Sequence, residues 1–337
     1  MRESNEFAYV PGECLTMDTV LFVDDNRFTL TVISDLFRNE GIHILTAEDA
    51  AQALEIVRHT DVAVVVSDNV MPGMSGIDFL TSLKNHSPDT VKILMSAFAD
   101  LPSALAAINC SEVFRYVLKP WQDEEMLGAV REGLKRYRLR QAMRKEDEDI
   151  LRSLAQTIEL KDPSTWGHCD RVAVYALRLA QALDLPKDLQ REIKYGSWLH
   201  DCGKIGISEM ILNGTQKLND EEYETMKQHS LWGADVAEKA HLSIVARNII
   251  AYHHERYDGS GYPAGLVGDQ IPLEARIVTI ADVFDALSTD RPYRSCYTRE
   301  QSLAEMRTLR GTSLDPQLLD LFLAVMAEDT EPAAQAN

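Results

Sequence analysis

The stretch Val62-Ala63-Val64-Val65-Val66-Ser67-Asp68-Asn69-Val70-Met71-Pro72-Gly73-Met74-Ser75-Gly76 joins five apolar residues, with no polar alternation, to an Asp and a Pro-Gly turn. A strand with one wet face alternates apolar and polar residues, so an unbroken apolar run of this length marks a strand covered on both faces. Working outward, further short apolar runs occur at 20–23, 42–45, 93–95 and 116–118. Amphipathic stretches at 28–39, 47–58, 76–84 and 101–109 separate them. Five strands alternating with helices predict an α/β doubly wound, five-stranded parallel sheet over residues 17–121, behind an N-terminal tail at 1–16.

The rest of the chain reads differently. Residues 122–149 are charged and helix-favouring, with Leu127, Val130, Leu134 and Tyr137 at heptad-like spacing. This connector is expected to be either a signalling helix with a parallel homodimer contact or a solvated helical linker. Residues 150–327 carry helical patterns interrupted by a turn-rich stretch at 258–272 and predict an all-α domain; 328–337 reads as a frayed tail. The 337 residues suit two domains at roughly 100–200 residues each.

A net charge of -19 argues against general nucleic-acid binding, and no basic helix-turn-helix segment is left over for a DNA-binding output. A small anionic substrate remains compatible, because bound cations reverse the sign locally. No apolar run reaches membrane-spanning length and the N-terminus lacks a signal-peptide core. The five Cys are dispersed and odd in number, which fits reduced thiols and a cytoplasmic protein. The four Trp and the Met residues show no cofactor stripe and are expected in the core.

In a doubly wound sheet, ligands bind beyond the carboxyl ends of the strands. Asp24 and Asp25 follow the first predicted strand, Asp68 the third, Ser96 the fourth and Lys119 the fifth. Converging carboxylates there would bind Mg2+ through oxygen, and one could act as nucleophile towards a phosphoryl donor. One Asp after a strand is an ordinary turn residue; this many polar groups in register on one sheet edge are not. The segments Val23-Asp24-Asp25-Asn26, Ser67 to Gly76 and Val117-Leu118-Lys119-Pro120 resemble the response-regulator receiver family. The resemblance implies phosphorylation at Asp68. It implies Mg2+ held by Asp25, Asp68 and the Val70 carbonyl with help from Asp24. Ser96 and Tyr116 would form the switch pair beside Lys119, and a sensor histidine kinase or phosphotransfer protein would be the partner.

The helical half contains His168, His200-Asp201, His229, His253-His254 and Asp282. A lone His on a helix is usually a packed core residue; this many in one helical domain change the balance. Neutral imidazoles with carboxylates suit Fe, Mn, Zn, Co or Ni, and a carboxylate such as Asp201 can bridge two ions. Two such ions serve phosphodiester hydrolysis by activating water and stabilising the leaving oxygen. Lys204, Arg291 and Arg294 are candidate phosphate contacts. The run His253-His254-Glu255-Arg256-Tyr257-Asp258-Gly259-Ser260-Gly261-Tyr262-Pro263 couples paired imidazoles to a Gly-rich turn that a ligand can approach closely.

With His168-Cys169-Asp170-Arg171, His200-Asp201-Cys202-Gly203-Lys204, Met226-Lys227-Gln228-His229, Ala281 to Leu287 and Arg291-Pro292-Tyr293-Arg294, that run resembles the HD-GYP family over about 151–319. The resemblance implies hydrolysis of cyclic di-GMP to linear pGpG, with weaker cleavage on to GMP, by two divalent ions, Fe or Mn foremost. His168, His200, Asp201 and Asp282 would hold one ion. Asp201, His229, His253 and His254 would hold the other. Lys204 and Asp201 would be the catalytic pair, Gly261-Tyr262-Pro263 would shape the substrate pocket, and a diguanylate cyclase is a further candidate partner.

Two departures stand out. Ser164 occupies the position where three-metal members carry Glu, which points to two metals. Asn213-Gly214-Thr215-Gln216 replaces the family's usual Lys-Pro-Gly loop and removes a cation near the substrate. Cys169 and Cys202, beside ligand positions, read as small buried thiols. Two other readings stay open: a cyclic-dinucleotide-binding or protein-interaction module with little turnover, and a hydrolase of a mixed cyclic dinucleotide.

Overall fold

The computed structural model describes residues 17–97, 113–162, 165–214, 216–289 and 296–328. They form two compact units that divide between Met143 and Arg144.

The first unit contains five strands, β1 Thr19–Val23, β2 His43–Ala47, β3 Val64–Asp68, β4 Val91–Ala97 and β5 Arg115–Lys119. All adjacent pairs are parallel, in the order β2-β1-β3-β4-β5. Side chains of a strand alternate between faces, and here both faces are dry. Val20, Phe22, Val64 and Val66 enter one core, while Leu21, Val23 and Val65 enter the other. That is why the β1 and β3 runs show no polar alternation. Helices α1 Arg27–Leu36, α2 Ala50–His59 and α3 Gly76–His86 connect the first four strands. Asn26, Asp49 and Ser75 cap them by accepting backbone N–H groups, which leaves the strand-to-helix turns at the carboxyl edge of the sheet tightly defined. The helix expected at 101–109 lies outside the described residues, as do both chain tails.

Helix α4 spans Asp123–Glu159 and carries residues of both units. Its heptad-like residues have another role than a dimer seam. Val130 and Leu134 are buried in the sheet core of the first unit, and Leu127 and Tyr137 pack against that core. The spacing is therefore the period of one buried helix face, committed to the chain's own sheet.

The second unit is helical. It contains α5 His168–Ala182, α6 Lys187–Leu199, the short α7 Glu209–Leu212, α8 Asp220–Lys239, α9 Ile244–Tyr252, α10 Leu273–Ser288, α11 Arg299–Thr308 and α12 Pro316–Glu328. Among the described residues its only strand-like pairings are isolated bridges, Asp258 with Val267 and Arg310 with Leu314. Helix α5 packs on α6 and α10, and α9 packs on α6 and α8. Their shared core includes Val172, Ala176, Ile193, Ile249, Ile280 and Phe284. The Trp residues divide: Trp198 is buried, but Trp166 and Trp232 are 63% and 40% exposed, against the expectation that all four are core. Several Met residues, Met210 at 87% among them, are exposed as well. Among the described residues no helix is long and apolar enough to cross a membrane.

Leu134→Ala removes a side chain that is 5% exposed and is expected to cost about 2–5 kcal/mol of stability. In calorimetry of the full chain this appears as a lowered transition for the first unit, with no change in sedimentation. A drop in dimerisation at unchanged stability would contradict the core assignment.

Candidate metal centre

At the carboxyl edge of the sheet, Asp24 directly follows β1, and β3 and β5 end in Asp68 and Lys119. The Lys119 Nζ lies 2.7 Å from Asp24 Oδ2 and 2.8 Å from Asp68 Oδ2. Asp24, Asp25 and Asp68 each bring a carboxylate oxygen to one small region, within 4.8 Å of one another. Asp68 also accepts from the Asn69 N–H at 2.8 Å. Burial pushes the Asp68 carboxyl above its usual value although Lys119 pulls the other way. Burial opposes the charge on Lys119, but the two carboxylates outweigh it and raise its pKa. Ser96, fully buried, stands on β4, and Tyr116 on β5 packs into the α2/α3 face. Val70 lies in the exposed turn two residues beyond Asp68.

In the helical unit, five elements converge. His168 is the first residue of α5, His200 caps the end of α6, His229 lies inside α8, His253 caps the end of α9 and Asp282 lies inside α10. The C-terminal carbonyls of a helix lack intrahelical partners, and two imidazoles use them. His200 Nδ1 donates to Ser197 O at 2.7 Å, and His253 Nδ1 to Ile249 O and Ile250 O at 3.1 Å. His229 Nδ1 donates to Met226 O at 2.7 Å, and His168 Nδ1 to the Asp285 carboxylate at 2.7 Å. Carbonyls and carboxylates only accept, so Nδ1 carries a proton in all four rings, and in the neutral form of each ring Nε2 is a bare lone pair.

Those lone pairs face other acceptors. His168 Nε2 lies 3.3 Å from His200 Nε2, and His229 Nε2 lies 3.5 Å from His253 Nε2. Among the described residues, Ser230 Oγ is the one hydroxyl near them, 3.5 Å from His229 Nε2. A carboxylate sits between the pairs, with Asp201 Oδ1 3.5 Å from His229 Nε2 and Asp201 Oδ2 3.5 Å from His200 Nε2. Asp282 Oδ1 is 3.3 Å from His168 Nε2. All four rings are at most 4% exposed. A buried acceptor without a donor costs about 1–3 kcal/mol, so four facing one another around carboxylates form a donor set whose natural complement is a cation. Two groups of possible ligands result: His168, His200 and Asp282, and Asp201, His229, His253 and His254. Asp201 reaches both through its two oxygens. The nitrogen-and-oxygen set fits borderline divalent ions.

The surroundings hold this set in place. Asp285, 1% exposed, was not singled out from sequence; it receives His168 and also Arg171, whose Nε is 2.6 Å from Oδ1. Such a carboxylate fixes the ring and its tautomer. Glu159 accepts the Gly167 and Cys169 N–H groups at 2.8 Å and so anchors the start of α5. Glu255 accepts the N–H groups of Ala264, Gly265 and Leu266 at 2.7–3.1 Å and folds the turn beyond Gly261-Tyr262-Pro263 over the site. A Cβ on Gly261 would meet Arg256 N at 2.3 Å, and one on Gly203 would meet His229 O at 1.8 Å. Glycine is therefore required where this turn and the Cys202–Gly206 turn approach other backbone.

Lys204 Nζ contacts Asp201 Oδ2 at 2.7 Å and lies 3.7 Å from Asp162. Burial would raise the Asp201 pKa, but Lys204 and then the neighbouring histidines hold it well below the usual carboxylate value. Tyr262 lies over His254 with ring centroids 4.8 Å apart. Lys227 Nζ sits 5.3 Å above Tyr223 and 6.0 Å above Tyr262, a cation beside the pocket that the sequence motif contained but did not flag. Asn213 turns to the backbone, donating to Lys161 O at 3.1 Å. Ser164, Thr215, Arg291 and Arg294 lie outside the described residues. Cys169 is buried with its thiol pushed well up by burial, and burial lifts the Cys202 thiol to about 12, so neither offers a thiolate.

Burial lowers the pKa of His229 and of His253, and takes His254 to about 3. His168 differs: burial lowers it, but Asp285 and the nearby carboxylates win and raise it above 6.5. Metal binding requires neutral imidazole. As pH is lowered from above neutral, protons therefore compete first at His168, while the three-histidine group remains neutral. Metal retained after dialysis should drop from about two ions per chain to about one. Loss of both ions together would contradict this order.

Comparison with known proteins agrees with the division of the chain. Residues 20–131 match the response regulator receiver domain, and residues 152–318 match the HD domain. A cyclic di-GMP phosphodiesterase of Thermotoga maritima is 30% identical over 340 residues, covering 93% of this chain and 92% of that one. The cyclic di-GMP phosphodiesterase response regulator RpfG of Xanthomonas campestris is 33% identical over 334 residues, covering 92% and 88%. A 3'3'-cGAMP-specific phosphodiesterase 2 of Vibrio cholerae is 39% identical over 183 residues, covering 54% of this chain and 35% of that protein. With a parallel receiver sheet, a helical His/Asp centre and relatives aligned along nearly the whole chain, this protein belongs to the response-regulator family that couples a receiver domain to an HD domain.

Proposed function

We propose that this chain is a phosphorylation-regulated phosphodiesterase that hydrolyses cyclic di-GMP to linear pGpG, with slower cleavage on to GMP. The observation that carries the reading is the facing of four buried imidazole Nε2 atoms in two pairs, with His200, His229 and His253 within 3.8 Å of an Asp201 oxygen and His168 against Asp282. His168, His200, Asp201 and Asp282 would hold one divalent ion, and Asp201, His229, His253 and His254 the other, with Fe or Mn favoured. Bound there, such ions lower the pKa of water and neutralise charge on a phosphodiester. The remaining work falls to the protein. Asp201 keeps its charge because Lys204 lies against it, and Lys204 is positioned to take up a phosphate oxygen. Tyr262 and Tyr223 offer aromatic faces for a base, and Lys227 above them supplies a cation beside the pocket. Arg291 and Arg294 are further candidate phosphate contacts.

The receiver would accept a phosphoryl group on Asp68 from a histidine kinase or phosphotransfer protein. Asp24, Asp25, Asp68 and the Val70 carbonyl would hold Mg2+. The phosphoryl group brings a charge of about -1.5 to -2, in place of the single charge of the Asp68 carboxylate, to where Lys119 now bridges Asp24 and Asp68. Lys119 and Ser96 would turn to it, with Tyr116 as the second switch residue.

The substrate assignment follows the names of the two relatives aligned over nearly the full chain. The mixed cyclic dinucleotide is the second reading, because 54% of this chain aligns at 39% identity with the 3'3'-cGAMP-specific protein. The test is chromatographic product analysis with both substrates after anaerobic Mn2+ or Fe2+ loading. Cyclic di-GMP should give pGpG, Asp201→Asn should reduce the rate by about 100-fold or more, and an acyl phosphate should change the rate of the native chain but not of Asp68→Asn. Tight binding of either dinucleotide without product would contradict the enzyme reading and favour a binding module.

A further inference from the structure

Tyr223 and Lys227 lie one turn apart on α8, and Tyr262 stands in the turn that follows α9. The two tyrosine rings meet at 82° with centroids 6.5 Å apart, as two walls of a corner. Lys227 Nζ lies over both, 5.3 Å from the Tyr223 centroid and 6.0 Å from that of Tyr262. The corner adjoins the second group of possible metal ligands, since the Tyr262 ring is 4.8 Å from His254 and 6.4 Å from His229. One sugar separates the base of a nucleotide from its phosphate, so a phosphate at that group leaves its base within reach of the corner.

The recognition offered here is by hydrogen bonds rather than by net charge. Among the described residues Lys227 and Glu224 make one ion pair, with each other, at 2.5 Å. The Glu224 side chain is 66% exposed, so water competes for the pair and holds it only weakly closed. An ammonium has three N–H donors and a carboxylate two accepting oxygens, so both keep hydrogen-bonding capacity after pairing. Together they present donors next to acceptors. The matching edge of a base carries an acceptor next to donors. Guanine has that edge, with O6 accepting and N1–H and the 2-amino group donating. Adenine reverses it: its 6-amino group would face the ammonium and its N1 lone pair the carboxylate. Tyrosine faces stack either base, so only the hydrogen bonds tell the two apart.

We propose that Lys227 and Glu224 are the residues that read guanine, Lys227 donating to O6 and Glu224 accepting from N1–H and the 2-amino group of a base stacked in the Tyr223/Tyr262 corner. The inference rests on the phosphodiesterase reading for its substrate, whereas base recognition itself needs no turnover. It also sharpens that reading. A cyclic dinucleotide without guanine is rejected. A mixed one enters with its guanine in the corner, which decides which of its two phosphates lies at the metal centre.

The test uses the full chain loaded with Mn2+, its metal content measured, and titrates 5'-GMP and 5'-AMP by calorimetry. Each probe carries one base and one phosphate, and neither contains a phosphodiester to cleave. The native chain should bind GMP about tenfold or more tighter than AMP. Lys227→Met keeps the apolar stem and removes the donors; it should weaken GMP and bring the two affinities within about threefold of each other. Lys227→Arg should restore the preference, and Glu224→Gln should shrink it. Tyr223→Leu should weaken GMP and AMP alike at an unchanged ratio, because stacking does not read the edge of a base. Thermal melting confirms that the variants are folded. Absence of saturable GMP binding, equal affinity of the native chain for the two probes, or an unchanged preference in folded Lys227→Met overturns the inference. Turnover registers separately: a base preference that follows Lys227, with no product from cyclic di-GMP, sinks the enzyme reading and leaves the base reading standing.

Discussion

Four imidazole rings are each pinned by one Nδ1–H to a fixed acceptor, which forces the opposite lone pair into a shared buried space. Backbone geometry does most of this pinning. His200 and His253 stand at helix ends, where carbonyls need donors, and His229 reaches a carbonyl one turn back in its own helix. The same hydrogen bond that satisfies a helix terminus selects the tautomer that leaves Nε2 for a ligand. His168, at a helix start with no such carbonyl, takes a buried carboxylate instead, which with the neighbouring carboxylates outweighs burial and raises its pKa.

Three buried carboxylates frame the centre, each 3% exposed or less. Glu159 secures the start of α5, Glu255 the turn after α9, and Asp285 the ring of His168. Each is satisfied by two or three donors, which is the condition for keeping charge inside a helical domain. Their placement links sequence to site: Glu255 directly follows the paired histidines, and Asp285 follows Asp282 by one turn. In the other unit the logic is simpler, with Lys119 clamping Asp24 and Asp68 at the open edge of a sheet whose remaining surface is covered.

Much of this was legible in the residues. Unbroken apolar runs at Val20 and Val64 announced a doubly covered parallel sheet, and the polar residues at the strand ends announced its working edge. The groups His168, His200-Asp201, His229, His253-His254 and Asp282 were visible as candidate ligands, and the structure brings them together. Other features were hidden because they depend on packing. The spacing of Leu127, Val130, Leu134 and Tyr137 reads in sequence as a dimer seam or a solvated linker, and only the sheet beneath reveals a buried face. Asp285, Glu159 and Glu255 look like ordinary surface acids until their donors arrive from remote turns. Trp166 and Trp232 are exposed because apolar character alone does not compel burial.

The central claim is that the bare Nε2 atoms and the two oxygens of Asp201 form a two-cation site. Anomalous diffraction from crystals of the Mn2+-loaded protein tests it most directly. Two peaks about 3.5–4 Å apart, bridged by Asp201 with His168, His200 and Asp282 on one side and His229, His253 and His254 on the other, are the predicted result. A single peak away from Asp201, or none at full occupancy of the crystal with Mn2+, would contradict it.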